Sequence, residues 1–344
     1  TALTILTVPY DAVINAREKL VFYAVVDLIS SISKLLIALF LFKYLGDRLI
    51  LYSLLWTLVV VAELVIKYLY CRRFNECVIH LKKYVNKRTF KELLSFGGWS
   101  FLGTGSSMLS MYSVGIILNT FFGVLLNAAQ GIANQLSGQL MSLSTTLMKA
   151  LNPVIVKSVG GDDHERAVRV SLLGNKYSVF LVSMVVIPIL IETKFVFSVW
   201  LKDVPNYAVI FCQLSLIRSV INQLTATYPT LIGATGKIRN YQIGESVVYL
   251  SAIPVAYVVF KLGAVPWAIY VVMIGMVLFL TVVRLFFVKK LCKIRYSTFF
   301  SIIGWRVLCM FMLTLFIAYV PTLFLDDGIY RFFLVTSFSL IAGF

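Results

Sequence analysis

The strongest constraint on this chain is a succession of apolar runs, each long enough to cross a bilayer. They cover residues 20–43, 49–70, 95–122, 125–156, 170–191, 207–232, 240–260, 267–288 and 298–320. A helix rises 1.5 Å per residue, so about 20 residues traverse the ~30 Å hydrocarbon core. Runs of this length and spacing predict an all-α, polytopic membrane protein. Two shorter runs, 1–14 and 329–344, sit at the ends of the sequence. They read as pieces of longer helices, which makes the chain a fragment and any helix count a lower bound.

Composition narrows the choice further. The chain is 60% hydrophobic and 13% charged, against about 45–50% and about 25% in soluble domains. A soluble enzyme, a disordered chain and a disulfide scaffold are excluded on that basis. The five cysteines form no framework: Cys71, Cys77 and Cys292 fall in basic loops, Cys212 and Cys309 in apolar runs. Cys71, Cys77 and His80 have a spacing outside the usual zinc patterns, and reduced thiols facing the cytosol are expected.

The net charge of +16 would suggest nucleic acid in a soluble protein. Here its distribution gives a different reading. Arg17 and Lys19, the basic residues of 71–94, Lys157, Arg166 and Arg169, Lys237 and Arg239, and Lys289, Lys290, Lys293 and Arg295 lie in alternate loops. They total eighteen, against five (Lys43, Arg48, Lys194, Lys202 and Lys261) in the opposite set. Cytoplasmic loops collect Lys and Arg, so the first set is placed in the cytoplasm and no nucleic-acid partner is expected. Segment 71–94 interleaves Val78, Leu81, Val85 and Phe90 with its basic residues, the pattern of an amphipathic helix on the anionic inner leaflet.

The sequence also repeats. At an offset of 218, Ala16 meets Ala234, Lys19 meets Lys237, Tyr23 meets Tyr241, Asp27 meets Glu245 and Ser33 meets Ser251. Phe42, Lys43, Tyr52 and Val59 meet Phe260, Lys261, Tyr270 and Val277 in the same register. Helices paired this way run in the same direction, which predicts a parallel repeat about an axis along the membrane normal and a substrate path between halves. The expected organisation is the last three helices of one lobe in 1–70, a basic linker in 71–94, a complete six-helix lobe in 95–290, and a C-terminal helix pair in 296–344.

Several segments resemble a known family. VPYDAVINAREKLVFYAVVDLISSISKLLIALFLF, LLSFGGWSFLG, NAAQGIANQL, MKALNPVIVKS, ETKFVFSVWLKDVPNYAVIFCQL and ATGKIRNYQI are similar to stretches of polysaccharide-biosynthesis flippases of the Wzx type, within the MATE-like superfamily. The resemblance covers essentially the whole chain. It implies a two-lobe helix bundle with six-helix repeats, the first lobe incomplete here. It also implies movement of a polyprenyl-pyrophosphate-linked oligosaccharide across a bacterial inner membrane for O-antigen or other surface polysaccharide. Partners implied are that lipid-linked substrate, membrane lipids and other polysaccharide-assembly proteins, with the flippase itself a monomer.

Polar residues inside the spans are the candidate site, because a mid-bilayer charge costs roughly 2.5–3.5 kcal/mol on insertion scales. Lys34 lies 14 residues into its span, on a stripe with Asp27, Ser30 and Ser31. It is either a lumen cation for the pyrophosphate or the partner of Asp27 or of another acid. Arg218, with Asn222 and Thr225 on its stripe, suits phosphate oxygens; the alternative is a bond to carbonyls that fixes a kink near Pro229. Gln135, Gln139, Ser142, Thr146 and Lys149 follow helical spacing, as do Asn127, Gln130, Asn134 and Ser137. Amides suit sugar hydroxyls, but such residues also join helices, and Lys149 is either an inlet cation or a snorkelling one. Asp27 and Glu245, matched in the repeat, are candidates for proton or ion coupling. Glu63 and Lys67 read as a neutralising i,i+4 pair. Arg284 and Arg306 read as snorkelling cations. Gly103, Ser106, Ser110 and Ser113 read as a small-residue packing stripe.

Three functions compete. A lipid-linked oligosaccharide flippase accords with deep cations. An ion-coupled multidrug exporter of the same fold would need acids in its lumen. A membrane glycan polymerase would need acids and histidines for chemistry, whereas His80 and His164 both lie in loops. No nucleotide motif, metal set or triad is present in the sequence, so no enzyme activity and no cofactor is expected.

Overall fold

A computed structural model describes residues 2–17, 19–43, 47–74 and 86–343. The chain is 87% helical, with no strand among the described residues. Eight helices there are long and apolar enough to cross a membrane. The protein is therefore an all-α polytopic membrane protein. It divides into two compact units, 1–89 and 90–344.

The first unit holds α1 (Ala2–Ala16), α2 (Leu20–Lys43) and α3 (Arg48–Cys71), with α3 packed along both of the others. Asp47 caps α3, its carboxylate accepting from the N–H groups of Leu49 and Ile50 at 2.9 and 3.2 Å, donors that the first turn of a helix leaves unpaired. Ile14, Val26 and Cys71 are buried between the helices. Cys71 is thus the last residue of a span rather than part of a loop, and its Sγ lies 3.7 Å from the Tyr10 carbonyl. Cys77, His80, Val78, Leu81 and Val85 lie outside the described residues.

The second unit begins in α4 (Lys87–Phe122), followed by α5 (Leu125–Gly160), α6 (His164–Ile191), α7 (Thr193–Trp200), α8 (Ala208–Gln223), α9 (Tyr228–Ala234), α10 (Arg239–Lys261) and α11 (Ala268–Cys292). A helical stretch built from α12 (Tyr296–Phe299), a π-turn and α13 (Trp305–Tyr319) leads to α14 (Ile329–Gly343). Residues 87–94, the end of the expected basic linker, open the 36-residue α4. Cys292, expected in a loop, ends α11.

The run 207–232 is not one helix but two. Between α8 and α9 the backbone bonds tighten to three-residue steps: Leu224, Thr225 and Ala226 donate to Ile221, Asn222 and Gln223. Pro229 stands in the first turn of α9, where its missing N–H is no loss but where it disfavours helix just before it. The freed groups find partners on α6. Thr227 N–H donates to Asn175 Oδ1 at 2.8 Å, and Thr227 Oγ1 donates to the Ser171 carbonyl at 3.0 Å. A broken helix at membrane depth survives only where such partners exist.

α5 is 36 residues long but is not among the eight spans, since its polar residues are too many. It packs along α6 and α8, both of which lie within spans, so it shares their depth. Its inward stripe ties the bundle together: Ser144 and Ser178 both donate to Gln223 Oε1, at 2.6 and 2.9 Å, and Ser215 donates to Ser137 at 3.2 Å. In α4, Gly103, Ser106, Ser110 and Ser113 are all buried, as a packing face requires. α13 and α14 pack on α6, where Ser339 Oγ donates to the Met184 carbonyl at 2.9 Å. Beside them Arg331 grips the fully buried Glu192 with two bonds of 2.7 and 2.8 Å, and also pairs with Asp327.

Candidate functional site

The cations inside the spans fall into two sets, those with counterions and those without.

Arg284 belongs to the first set. Its Nε donates to Glu245 Oε1 at 2.9 Å, and its Nη1 to Asn222 Oδ1 and Thr225 Oγ1 at 3.0 and 3.1 Å. The Arg284 and Glu245 side chains are only 7% and 9% exposed. Arg284 therefore does not snorkel, as its distance from the helix end suggests; it faces inward and joins α11 to α10 and α8. The same bonds draw Asn222, a lumen candidate, and Glu245, a candidate for proton or ion coupling, into one buried cluster.

Lys67 is the counterpart in the first unit. Its Nζ lies 2.8 Å from Asp11 and 2.7 Å from Glu63, with the Lys67 side chain 4% exposed, and 5.1 Å from the Tyr23 ring centre. The expected Glu63–Lys67 pair is present, and Asp11 of α1 completes it.

Arg218 and Lys34 belong to the second set. Arg218 is half-buried on α8 and, among the described residues, makes no hydrogen bond or ion pair. Its electrostatic neighbours are the Tyr270 and Tyr249 hydroxyls, and the Tyr270 hydroxyl is buried without a partner. The break near Pro229 is held by Asn175, not by Arg218. In the first unit Lys34 Nζ lies 4.9 Å from the Trp56 ring centre, and Tyr52 adjoins Trp56 with ring centres 5.4 Å apart. Asp27 is exposed and its carboxylate bonds to no described residue, so it does not pair with Lys34.

The polar ladder of α5 divides between two faces. Gln130 and Ser137 are buried and Asn127 and Asn134 partly so, whereas Gln135, Gln139, Ser142, Thr146 and Lys149 are all exposed. An exposed amide ladder at membrane depth needs water or polar groups opposite it.

Four residues here are not picked out by the sequence. Height along α11 alone places Arg284 at the headgroups, and only its partners turn it inward. Trp56 and Tyr52 carry no signal in the sequence, since they are aromatic residues within an apolar run. Lys176, twelve residues into α6, stands 5.4 Å from the Phe180 ring centre and 5.7 Å from that of Tyr177; a Lys in the run 170–191 was the signal available.

Compared with known proteins, the chain matches no family model, no curated protein and no solved structure. The class that fold and site define is an all-α, multi-pass membrane protein with both neutralised and unneutralised cations inside its spans.

Proposed function

We propose that this protein is a transporter of the flippase kind, which moves a polyprenyl-pyrophosphate-linked oligosaccharide across a bacterial inner membrane for surface polysaccharide assembly. The observation that carries the reading is Arg218. A guanidinium in mid-span with no counterion among the described residues has a reason to exist if an anion visits it, and guanidinium matches phosphate oxygens in pairs. Lys34 supports the same reading from the first unit. The exposed Gln135 and Gln139 supply the donor-and-acceptor chemistry that sugar hydroxyls need, and Lys149 adds a cation toward the basic end. Most acids inside the spans are held by cations, which argues against a lumen for organic cations. Asp27 is the exception and favours a second reading, an ion-coupled drug exporter.

The test is surface glycan display in cells carrying Lys34→Ala or Arg218→Ala at the native locus. Each variant should abolish display at unchanged protein level, and Lys34→Arg should keep more of it than Lys34→Ala because charge is retained. Normal display in the double variant would sink the proposal. Loss of cationic-dye efflux in Asp27→Asn, with glycan intact, would establish the exporter instead.

A further inference from the structure

One end of the second unit contains a recess of about 240 Å³ between three inter-helix turns. Its wall is apolar, formed by Val159, Ala167, Leu231 and Leu291, and its mouth carries His164, Thr235 and Lys293. The turns that meet here (157–169, 235–239 and 289–295) hold nine Lys or Arg against three acids. Two of those acids are engaged and the third, Asp162, is exposed. Glu165 pairs with Arg169 at 2.9 Å, Asp163 caps α6 through the Arg166 N–H, and Asp162 stands 3.9 Å from His164.

Lys293 is the unusual residue. It ends α11 with φ of 58°, the left-handed position that helices normally give to glycine. A side chain kept there despite that preference suggests a use for it. Lys293 is exposed and makes no hydrogen bond or ion pair among the described residues.

We propose that this recess binds the headgroup of an anionic phospholipid. The phosphate meets Lys293 and His164 at the mouth, and the first methylenes of one acyl chain lie on the apolar wall. The apolar wall favours a lipid over a compact, fully polar metabolite, and a recess of about 240 Å³ holds only part of such a molecule, the remainder lying outside. Position agrees, since the recess lies where spans end and basic residues concentrate, the zone where basic pockets between helices hold acidic headgroups. The proposal does not depend on what the protein transports.

Native mass spectrometry of the detergent-purified protein, re-lipidated with equal phosphatidylglycerol and phosphatidylcholine, tests it. Phosphatidylglycerol should be retained in preference. Lys293→Gly should reduce that retention roughly fivefold, the size of one Lys–headgroup attraction. The same variant relieves the left-handed cap, so its melting temperature should hold or rise, which separates lost binding from lost folding. Lys237→Gln, basic and nearby but not lining the recess, should leave retention within about twofold if one site rather than diffuse charge is responsible. Equal retention of the two lipids, unchanged retention in Lys293→Gly, or an equal loss in Lys237→Gln would each overturn the proposal. Displacement of the lipid by millimolar glycerol phosphate would overturn it too, since the ligand would then be a soluble anion.

Discussion

Arg284 Nε and Glu245 Oε1 meet at 2.9 Å across α11 and α10, and the pair has a relative in the other unit. There Lys67 of α3 holds Asp11 and Glu63 and faces Tyr23. Tyr23 matches Tyr241 in the sequence repeat, and Lys67 falls one residue from the match to Arg284. Each unit therefore carries a buried, neutralised cation on a helix that packs against its neighbours, and each also has a span cation with no counterion among the described residues, Lys34 in the first and Arg218 in the second.

Breaking the Arg284 pair should be worse than removing it. Arg284→Met leaves Glu245 buried without its counterion, a change that typically costs about 3–5 kcal/mol. Arg284→Met with Glu245→Met should recover most of the lost melting temperature in detergent. A double variant no better than the single one would show that Asn222 and Thr225, not the charge pair, govern stability here.

Lys67→Met should destabilise the first unit selectively, because Asp11 and Glu63 then share a site with no cation. Hydrogen exchange should rise in α1–α3 and stay unchanged in α8–α11. Adding Asp11→Asn and Glu63→Gln should reverse the effect. Uniform loss of protection across the chain would contradict a local role.

Tyr270→Phe offers a sharper view of Arg218. The hydroxyl has no partner, so its loss should shift stability by no more than about 0.5 kcal/mol. If the protein is the proposed flippase and an anion joins Tyr270 and Arg218, surface glycan display should nevertheless fall. Unchanged display in Tyr270→Phe would leave Arg218 to act without it.

Arg331→Ala should loosen α14 from α6, since Glu192 is fully buried and loses both its bonds. Limited proteolysis should then cut the 320–328 turn first. Glu192→Gln, which keeps a polar partner for Arg331, should be milder.

Orientation can be read with single-cysteine variants in an otherwise cysteine-free chain. Arg166→Cys and Lys202→Cys, both at exposed positions, should react with a membrane-impermeant thiol reagent from opposite sides, Arg166→Cys from the cytosol. Labelling of both from one side would overturn the charge-based topology.

Span positions were legible because a bilayer demands length and apolarity, and both are properties of the sequence alone. Which way each span faces was not. α11 is apolar nearly all round, so nothing in its pattern turned Arg284 inward; that required Glu245 and Asn222, which lie 39 and 62 residues away in the chain. α5 shows the opposite case. Its polar residues are numerous enough that their stripes are visible in the sequence, but which stripe turns inward and which stays exposed is set by α6 and α8. The break between α8 and α9 was announced only by Pro229, and its stabilising partner, Asn175, is remote in sequence.

The polarity of α5 also bears on how the chain is made. A segment with an exposed ladder from Gln135 to Lys149 has little reason to leave the translocon for lipid by itself. Only Gly123 and Val124 separate it from α4, which is apolar enough to cross. With so short a connection the two are expected to insert together, and α5 lacks cover for its inner stripe until α6 and α8 arrive. Synthesis of this protein thus contains an interval in which a polar helix waits in the membrane for partners not yet translated.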